Sequence, residues 1–185
     1  MLKFALALSL LASPALATGL QIEVAGEGAN GTITIDLFDD VAPQHVARIT
    51  ELAKAGAYDN VVFHRVIEGF MAQTGDVEFG DMTDPAFSMK MAGRGGSDLP
   101  DLPAEFSDKS FDTGMVGMAR SSNPNSANSQ FFIMFAPAPH LNGQYTIVGQ
   151  VTGGMDVVAA IKRGQGRNGA VIGEPDHMAK VTVTD

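Results

Sequence analysis

The chain of 185 residues contains no cysteine and no tryptophan, and it has only two tyrosines. Because there are no thiols, disulfide bonds and thiolate metal sites are excluded. Its four histidines are scattered and form no paired ligand motif such as HExxH. The sequence therefore predicts no metal site.

Cations are also scarce. Twelve Lys and Arg stand against 21 Asp and Glu, which gives a formal net charge of −9. This balance argues against nucleic acid or an anionic membrane as a partner. The chain is 45% hydrophobic and contains 21 Gly and 9 Pro, which fits one globular domain with many turns.

The N-terminal stretch has the pattern of an export signal. A short basic start, residues 1–3, precedes an apolar run over residues 4–11 that is too short to span a bilayer. Ala15-Leu16-Ala17 matches a small-residue cleavage site. We predict a cleaved signal peptide at residues 1–17 and a mature domain at residues 18–185, rather than a buried N-terminal helix. The mature domain is expected to be periplasmic, or secreted if the cell lacks an outer membrane, with no membrane insertion after cleavage.

Two periodicities organise the rest of the chain. Strand-like runs occur at residues 20–24, 32–38, 114–119, 130–135, 145–151 and 180–184. The first two are expected to form a hairpin, and the last is expected to pair near the first. Helical spacing predicts one helix from Pro43 to a cap at Gly56, with His45 on its surface, and a second over residues 156–162. Many short strands and two helices indicate an antiparallel barrel.

The stretch from residue 63 to residue 76 places Arg65 and His64 inside an otherwise apolar run. Gly69 breaks the run, and two short strands joined there would bring Arg65 near Phe70, Met71 and Gln73. The alternative is an edge strand whose arginine only reaches solvent. For His64 we favour a buried ring satisfied by the backbone over a catalytic base.

A second stretch, residues 117–133, reads as strand, polar loop and strand. Its MA…SQFFI run at 118–133, together with the FHR…GFM-Q-GD run at 63–76, resembles the cyclophilin family of peptidyl-prolyl cis-trans isomerases. The likeness covers roughly Thr32 to Ile161. It implies a mainly β fold, a closed eight-stranded antiparallel barrel capped by two helices, with the substrate groove on the outer surface.

The resemblance also implies roles for individual residues, and it requires neither metal nor cofactor. Arg65 matches the family's catalytic arginine. An apolar pocket for the proline ring is implied at Phe70, Met71, Phe132 and Leu141. The flanking peptide is expected to be held by Gln73, Gln130 and the backbone around Ala119 and Arg120.

Three positions depart from the pattern of many eukaryotic members. His140 stands where they have Trp, Tyr145 where they often have His, and Arg120 where Asn often follows Met-Ala. His140 and Tyr145 complete the predicted substrate-binding set. Because His140 lacks an indole N–H donor, we expect weak inhibition by cyclosporin. Arg120 adds positive charge beside the groove, which suggests a preference for acidic or carbonyl-rich segments.

The implied reaction breaks no bond. Rotation about an X-Pro bond meets a barrier of roughly 18–20 kcal/mol, and reaching the millisecond range requires a reduction of about 7 kcal/mol. A fixed cation that donates a hydrogen bond to the prolyl nitrogen acts only once amide resonance weakens, so it stabilises the twisted amide selectively. Arginine suits this task because it stays charged and presents rigid donors.

The expected partners are proline-containing segments of unfolded or folding exported proteins. We expect the protein to be a monomer, since no coiled-coil pattern or large apolar stripe is evident. Two other readings remain: a proline-peptide-binding chaperone or scaffold with little turnover, and an envelope protein that uses the barrel only for contacts. Arg65 favours the enzyme over both.

Overall fold

A computed structural model describes residues 18–85 and 87–184 of the chain. The predicted signal peptide, residues 1–17, lies outside the described residues. Within the described part, no helix combines the length and apolarity that a membrane crossing requires.

The described residues form nine strands, two α-helices and one 3-10 turn at Pro139–Leu141. The helices are α1 (Pro43–Lys54) and α2 (Met155–Ala160). The strands, in chain order, are β1 (Gly19–Ala25), β2 (Gly31–Leu37), β3 (Val61–Val62), β4 (Arg65–Ile67), β5 (Met71–Thr74), β6 (Met115–Met118), β7 (Phe131–Met134), β8 (Ile147–Gly153) and β9 (His177–Thr184).

The nine strands form one antiparallel sheet in the order β3-β9-β1-β2-β8-β6-β7-β5-β4. The mainly β fold with two helices is as predicted, but the closed eight-stranded barrel is wrong: the sheet is an open half-barrel. Its end strands, β3 and β4, are successive pieces of one short stretch and cannot fold back on each other. In the two residues that link β3 to β4, the Phe63 amide donates to the Asp176 carbonyl at 2.9 Å, and the His64 carbonyl accepts from the Val171 amide at 3.1 Å. These backbone groups are therefore occupied by the segment before β9.

The predicted hairpins are confirmed by the strand registers. β1 pairs with β2, with Ile22 opposite Ile33, and β9 returns to pair with β1, with Val181 opposite Ile22. Alternation places these three apolar side chains on the buried face, where each is at most 2% exposed. β6 and β7 are neighbours, as the sequence predicts.

Helix α1 begins at Pro43, which needs no backbone donor in a first turn. Its buried side includes Val46, Ile49 and Leu52, which follow helical spacing. The surface position predicted for His45 is wrong, because this side chain is fully buried. Glu105 folds over the start of the helix, accepts from the His45 amide at 3.2 Å, and lies 2.7 Å from its Nδ1. The local sequence around His45 could not predict this burial, because the partner Glu105 is sixty residues away in the chain.

Helix α2 is shorter than the range predicted for it, 156–162. It ends at Ala160, and Ile161 is already extended, with φ −53° and ψ 129°. The amide of Lys162 donates to the carboxylate of Asp176 at 2.7 Å instead of continuing the helix. A long-range hydrogen bond therefore ends α2.

A second apolar cluster lies beside the main core and supports the outer face of β5, β6 and β7. Its buried members are Met71, Phe111, Phe132, Met134, Ala138, Leu141 and Ile147. Phe111 and Phe132 stack with ring centroids 5.7 Å apart. Buried rings in close packing have few alternative rotamers, so this cluster forms a rigid base for the surface above it.

Candidate active site

Arg65 is held in place on the edge strand β4. The hairpin at Gly69, whose φ is +67°, sets Arg65 directly opposite Gln73 in the β4–β5 register. Its Nη1 donates to Gln73 Oε1 at 3.1 Å, and its Nε donates to the carbonyl of Asn168 at 3.0 Å. Burial lowers the pKa of Arg65, while Tyr145 acts in the opposite direction. An arginine remains protonated under such a shift, so the site contains a fixed, partly buried cation.

Beside this cation is a cavity of about 160 Å³, which we call the apolar cavity because most of its lining side chains are apolar. Nine of the eleven predicted site residues line it: Arg65, Phe70, Met71, Gln73, Ala119, Arg120, Phe132, Leu141 and Tyr145. The ring of Tyr145 meets that of Phe132 edge-on, with centroids 5.9 Å apart. The cavity thus joins a small apolar surface to the guanidinium of Arg65, an arrangement typical of sites that orient a ligand.

A second, polar cavity of about 250 Å³ adjoins the first and shares Gln73, Ala119 and Arg120 with it. Here Gln73 Nε2 donates to Gln130 Oε1 at 2.9 Å, and Gln130 Nε2 donates to the Gly95 carbonyl at 2.8 Å. A chain of hydrogen bonds therefore runs from Arg65 across the floor of the polar cavity. Gln130 lines this cavity rather than the apolar one.

The wall of the polar cavity depends on Asp76, a fully buried carboxylate. It accepts from the amides of Gly93 at 2.6 Å and Gly95 at 3.0 Å, and from those of Glu78 and Phe79 at 3.1 and 3.0 Å. These charge-assisted bonds satisfy the carboxylate without a cation and tie the glycine-rich loop to β5.

His140 and Arg120 occupy different positions relative to the two cavities. His140 lines neither cavity and instead stacks on Phe70, with ring centroids 5.8 Å apart. Arg120 donates to the carbonyl of Gln144 at 2.8 Å and to that of Ser121 at 2.9 Å, and its guanidinium lies 4.3 Å from the centre of the Tyr145 ring. The Arg120 guanidinium therefore packs on Tyr145 as well as lining both cavities.

His64 is buried, as predicted, and 6% exposed. Among the described residues neither ring nitrogen makes a hydrogen bond of regular geometry, but the backbone of Val62 and the side chain of Gln130 are close enough to the ring to raise its pKa, so the predicted contact with the backbone is weak rather than absent. Burial lowers the pKa of His64 to about 4; the Asp76 carboxylate opposes this shift and Arg65 adds to it. His64 is therefore neutral at neutral pH. Across residues 18–85 and 87–184, no three His, Asp or Glu side chains are grouped so that they could hold a metal ion.

Sequence reasoning did not identify two residues that position the site. Asn168 contributes only a backbone carbonyl to Arg65, and any residue type could provide it, so no sequence signal exists. Asp76 lies within the stretch at residues 63–76 that resembles the cyclophilin family. Its position after Gly75, in a polar break between apolar strands, was the sequence signal that could have indicated a structural role.

Comparison with known sequences identifies the family. Residues 20–183 match the family model for cyclophilin type peptidyl-prolyl cis-trans isomerase/CLD. The chain therefore belongs to the cyclophilin-type peptidyl-prolyl cis-trans isomerase family. A probable peptidyl-prolyl cis-trans isomerase of Brucella suis is 56% identical over 154 residues, covering 83% of this chain and 78% of the relative. Peptidyl-prolyl cis-trans isomerase-like 1 of Aspergillus oryzae is 38% identical over 142 residues, covering 74% and 79%.

Solved structures share the fold. A cyclophilin-type isomerase from Cryptosporidium parvum superposes with a TM-score of 0.75 at 24% identity, covering 92% of this chain and 99% of that one. A structure of it in the presence of the dipeptide Ala-Pro gives a TM-score of 0.73 at 25% identity, covering 90% and 99%. The predicted enzyme class, peptidyl-prolyl cis-trans isomerase, is confirmed by the family match and by the relatives.

Proposed function

We propose that this chain isomerises X-Pro bonds by stabilising the twisted amide without covalent chemistry. The proline ring occupies the apolar cavity, and Arg65 donates a hydrogen bond to the prolyl nitrogen as its lone pair localises. One observation carries the proposal: the Arg65 guanidinium, fixed by Gln73 and Asn168, borders an apolar cavity of about 160 Å³.

The energy required is within reach of this arrangement. A preorganised donor aimed at developing charge contributes about 2.7–4 kcal/mol where its removal has been measured. The donor is more effective when partly desolvated, because the local dielectric is lower than that of water. Binding of the ring against Phe132 and Leu141 supplies orientation, which reduces the entropic part of the barrier.

The residues next to the proline bind in the polar cavity. The amides of Gln73 and Gln130 and the chain at Ala119 and Arg120 provide its polar surface. A Cryptosporidium parvum relative has a structure in the presence of Ala-Pro, which supports recognition of proline peptides by this chain as well.

The substrates we propose are exported proteins that are unfolded or still folding, and the proposed location is the periplasm, or outside a cell that lacks an outer membrane. This rests on the export pattern in residues 1–17. The protein acts as a monomer in this proposal. Mass spectrometry of the protein purified from its cell envelope should find Thr18 as the first residue, and gel filtration should give a mass near that of one chain. A retained Met1, or a dimer, would contradict these points.

The activity is tested by following cis-trans exchange in a short Phe-Pro peptide by NMR. Arg65→Ala should reduce kcat/KM by about 10²–10³, with an unchanged circular dichroism spectrum. Arg167→Ala removes an equal charge from a neighbouring exposed arginine that lines neither cavity, and should retain activity. A folded parent that binds the peptide but does not accelerate exchange would instead support the chaperone or scaffold reading.

A further inference from the structure

A third depression, which we call the lateral groove, lies on the other side of Arg65 from the apolar cavity. It has a volume of about 760 Å³ and runs between residues 89–94 and residues 168–173. This volume is within the range of known ligand sites. Family resemblance assigned none of its residues a role except Arg65 and Gln73.

The lateral groove exposes apolar side chains. Met89, Val171 and Ile172 line it, and Ile172 is 59% exposed. Met91, which is 40% exposed, stands between the lining residues Lys90 and Ala92. Contact with a ligand would remove this surface from water, which is favourable in proportion to the area buried.

The groove is also basic in a chain of net charge −9. Its described lining includes Lys90 and Arg94 but no Asp or Glu. Within residues 18–85 and 87–184, neither side chain makes a hydrogen bond or ion pair, whereas the Arg120 guanidinium is occupied by two carbonyls. The lateral groove therefore presents two unpaired cations next to apolar surface.

His64 adds a polar group to the lateral groove. It is 6% exposed, its two ring nitrogens make no hydrogen bond of regular geometry among the described residues, and it lines the groove beside Gly93. Because burial depresses its pKa to about 4, it adds no charge at neutral pH. A neutral imidazole can both donate and accept, so it suits a peptide backbone more than a free anion.

The three depressions meet at one residue. Gln73 lines all of them, while Arg65 separates the lateral groove from the apolar cavity, and Arg94 borders both the lateral groove and the polar cavity. Because Arg65 and Gln73 line both depressions, a polypeptide whose proline lies in the apolar cavity has the lateral groove directly beside it.

We infer that the lateral groove binds the substrate polypeptide on one flank of the proline and selects flanks that combine acidic and apolar residues. The inference rests on the proposed isomerase function and adds a substrate preference to it. The partner is the substrate chain itself, because the groove is continuous with the proline site and its charge is opposite to that of an acidic flank.

The test uses peptides that share one Phe-Pro core. One has no extension, and the others carry a four-residue extension of alternating Glu and Leu or of alternating Lys and Leu, placed either before or after the core. A four-residue extension reaches about 13 Å. NMR exchange measures kcat/KM without a coupling protease, whose own sequence preference would distort the comparison between flanks. We expect the Glu-Leu extension to exceed the Lys-Leu extension by about two- to fivefold on one of the two sides, the range of exposed charge pairs.

Lys90→Glu should bring this ratio close to one, because the new carboxylate offsets Arg94, and raising the salt from about 0.05 M to about 0.5 M should lower the parental ratio towards one. Lys54→Glu makes the same charge change at the exposed end of α1, away from the groove, and should keep the parental ratio. Equal rates for Glu and Lys flanks on both sides, or an unchanged ratio in Lys90→Glu, would overturn the inference. If the unextended peptide is not accelerated, the isomerase proposal itself fails, which is a separate result.

Discussion

Arg65 and Gln73 lie directly opposite each other across β4 and β5, and the guanidinium of one donates to the amide oxygen of the other at 3.1 Å. Opposed residues in an antiparallel pair project from the same face of the sheet. The hairpin register therefore sets the direction of the Arg65 side chain. The hydrogen bond from Arg65 to the Asn168 carbonyl restricts the guanidinium further.

Replacing Gln73 with Leu should lower kcat/KM by about tenfold. The change removes an acceptor for a charged donor, a bond that contributes about 1.5–3 kcal/mol in proteins. The guanidinium is then held by the Asn168 carbonyl and by a weak contact with the Met71 sulfur at 3.8 Å. Steady-state kinetics on a short Phe-Pro peptide measures the effect. Gln165→Leu, at an exposed glutamine outside the three depressions, serves as the control. A Gln73→Leu enzyme with parental kcat/KM would show that the register alone positions Arg65.

Replacing Gly117 with Ala should destabilise the fold by about 1–3 kcal/mol, the usual cost of overpacking, and should raise KM for proline peptides. A Cβ at this position would lie 2.6 Å from ring atoms of both Phe111 and Phe132. Phe132 lines the apolar cavity, so any shift of its ring changes the shape of the cavity. Urea unfolding and KM measure the two effects.

The matched control is Gly153→Ala in β8, where the added Cβ would meet nothing closer than Thr34 at 3.6 Å. That variant should keep parental stability and KM. If Gly117→Ala unfolds at the same urea concentration as Gly153→Ala, the base beneath the cavity is more adaptable than its packing indicates.

The free energy of unfolding should fall as the pH is lowered from about 6.5 towards about 4. The pKa of His64 is about 4 in the folded protein, against 6.5 for an ordinary histidine. Between these values the unfolded chain binds a proton that the folded chain does not, so acid favours unfolding. The His64 contribution is present above pH 6.5 and amounts to about 3 kcal/mol at about 1.36 kcal/mol per pH unit.

His45 and His177 also have lowered pKa values, in both cases mainly through burial, so their effects have the same sign. The change specific to His64 is therefore the difference between the parent and His64→Gln. Urea unfolding at intervals between pH 7 and pH 4 should give a shallower slope for His64→Gln. Parallel slopes would show that the buried ring takes up a proton without unfolding.

Inhibition by cyclosporin should be weak. His140 stacks on Phe70 and offers no indole N–H where many family members have Trp. His140→Trp should strengthen inhibition by about tenfold, which corresponds to one hydrogen bond of about 1.4 kcal/mol. His140→Phe supplies a ring without the donor and should not. Nanomolar inhibition of the parent, or equal gains in both variants, would contradict the role given to the missing donor.

Local patterns were sufficient for most of the secondary structure. The strict alternation around Ile33 and Ile35 and the glycine at residue 69 specified a hairpin each, because both depend on neighbouring residues. The apolar face of α1 was predictable for the same reason, because it depends on residues three or four positions apart in the chain. The predicted burial of His64 also follows from its apolar neighbours in the chain.

The sequence predicted which residues line the candidate site, but not how they are arranged. Ten of the eleven predicted residues line one of two adjoining cavities, and His140 stacks behind Phe70 instead. Which side chains face the same cavity depends on the pairing of β5 with β7, whose residues are nearly sixty positions apart. No local period encodes that pairing.

Residue type and short spacing were enough to predict the strands, the two helices, the family and the catalytic candidate. Tertiary structure alone decided that the sheet stays open, that α2 ends at Ala160 and that His45 is buried. In each case a distant group, such as Asp176 or Glu105, satisfies a backbone or side-chain donor that the local pattern left free. Buried backbone donors almost always find a partner, and only the folded chain determines which one is within reach.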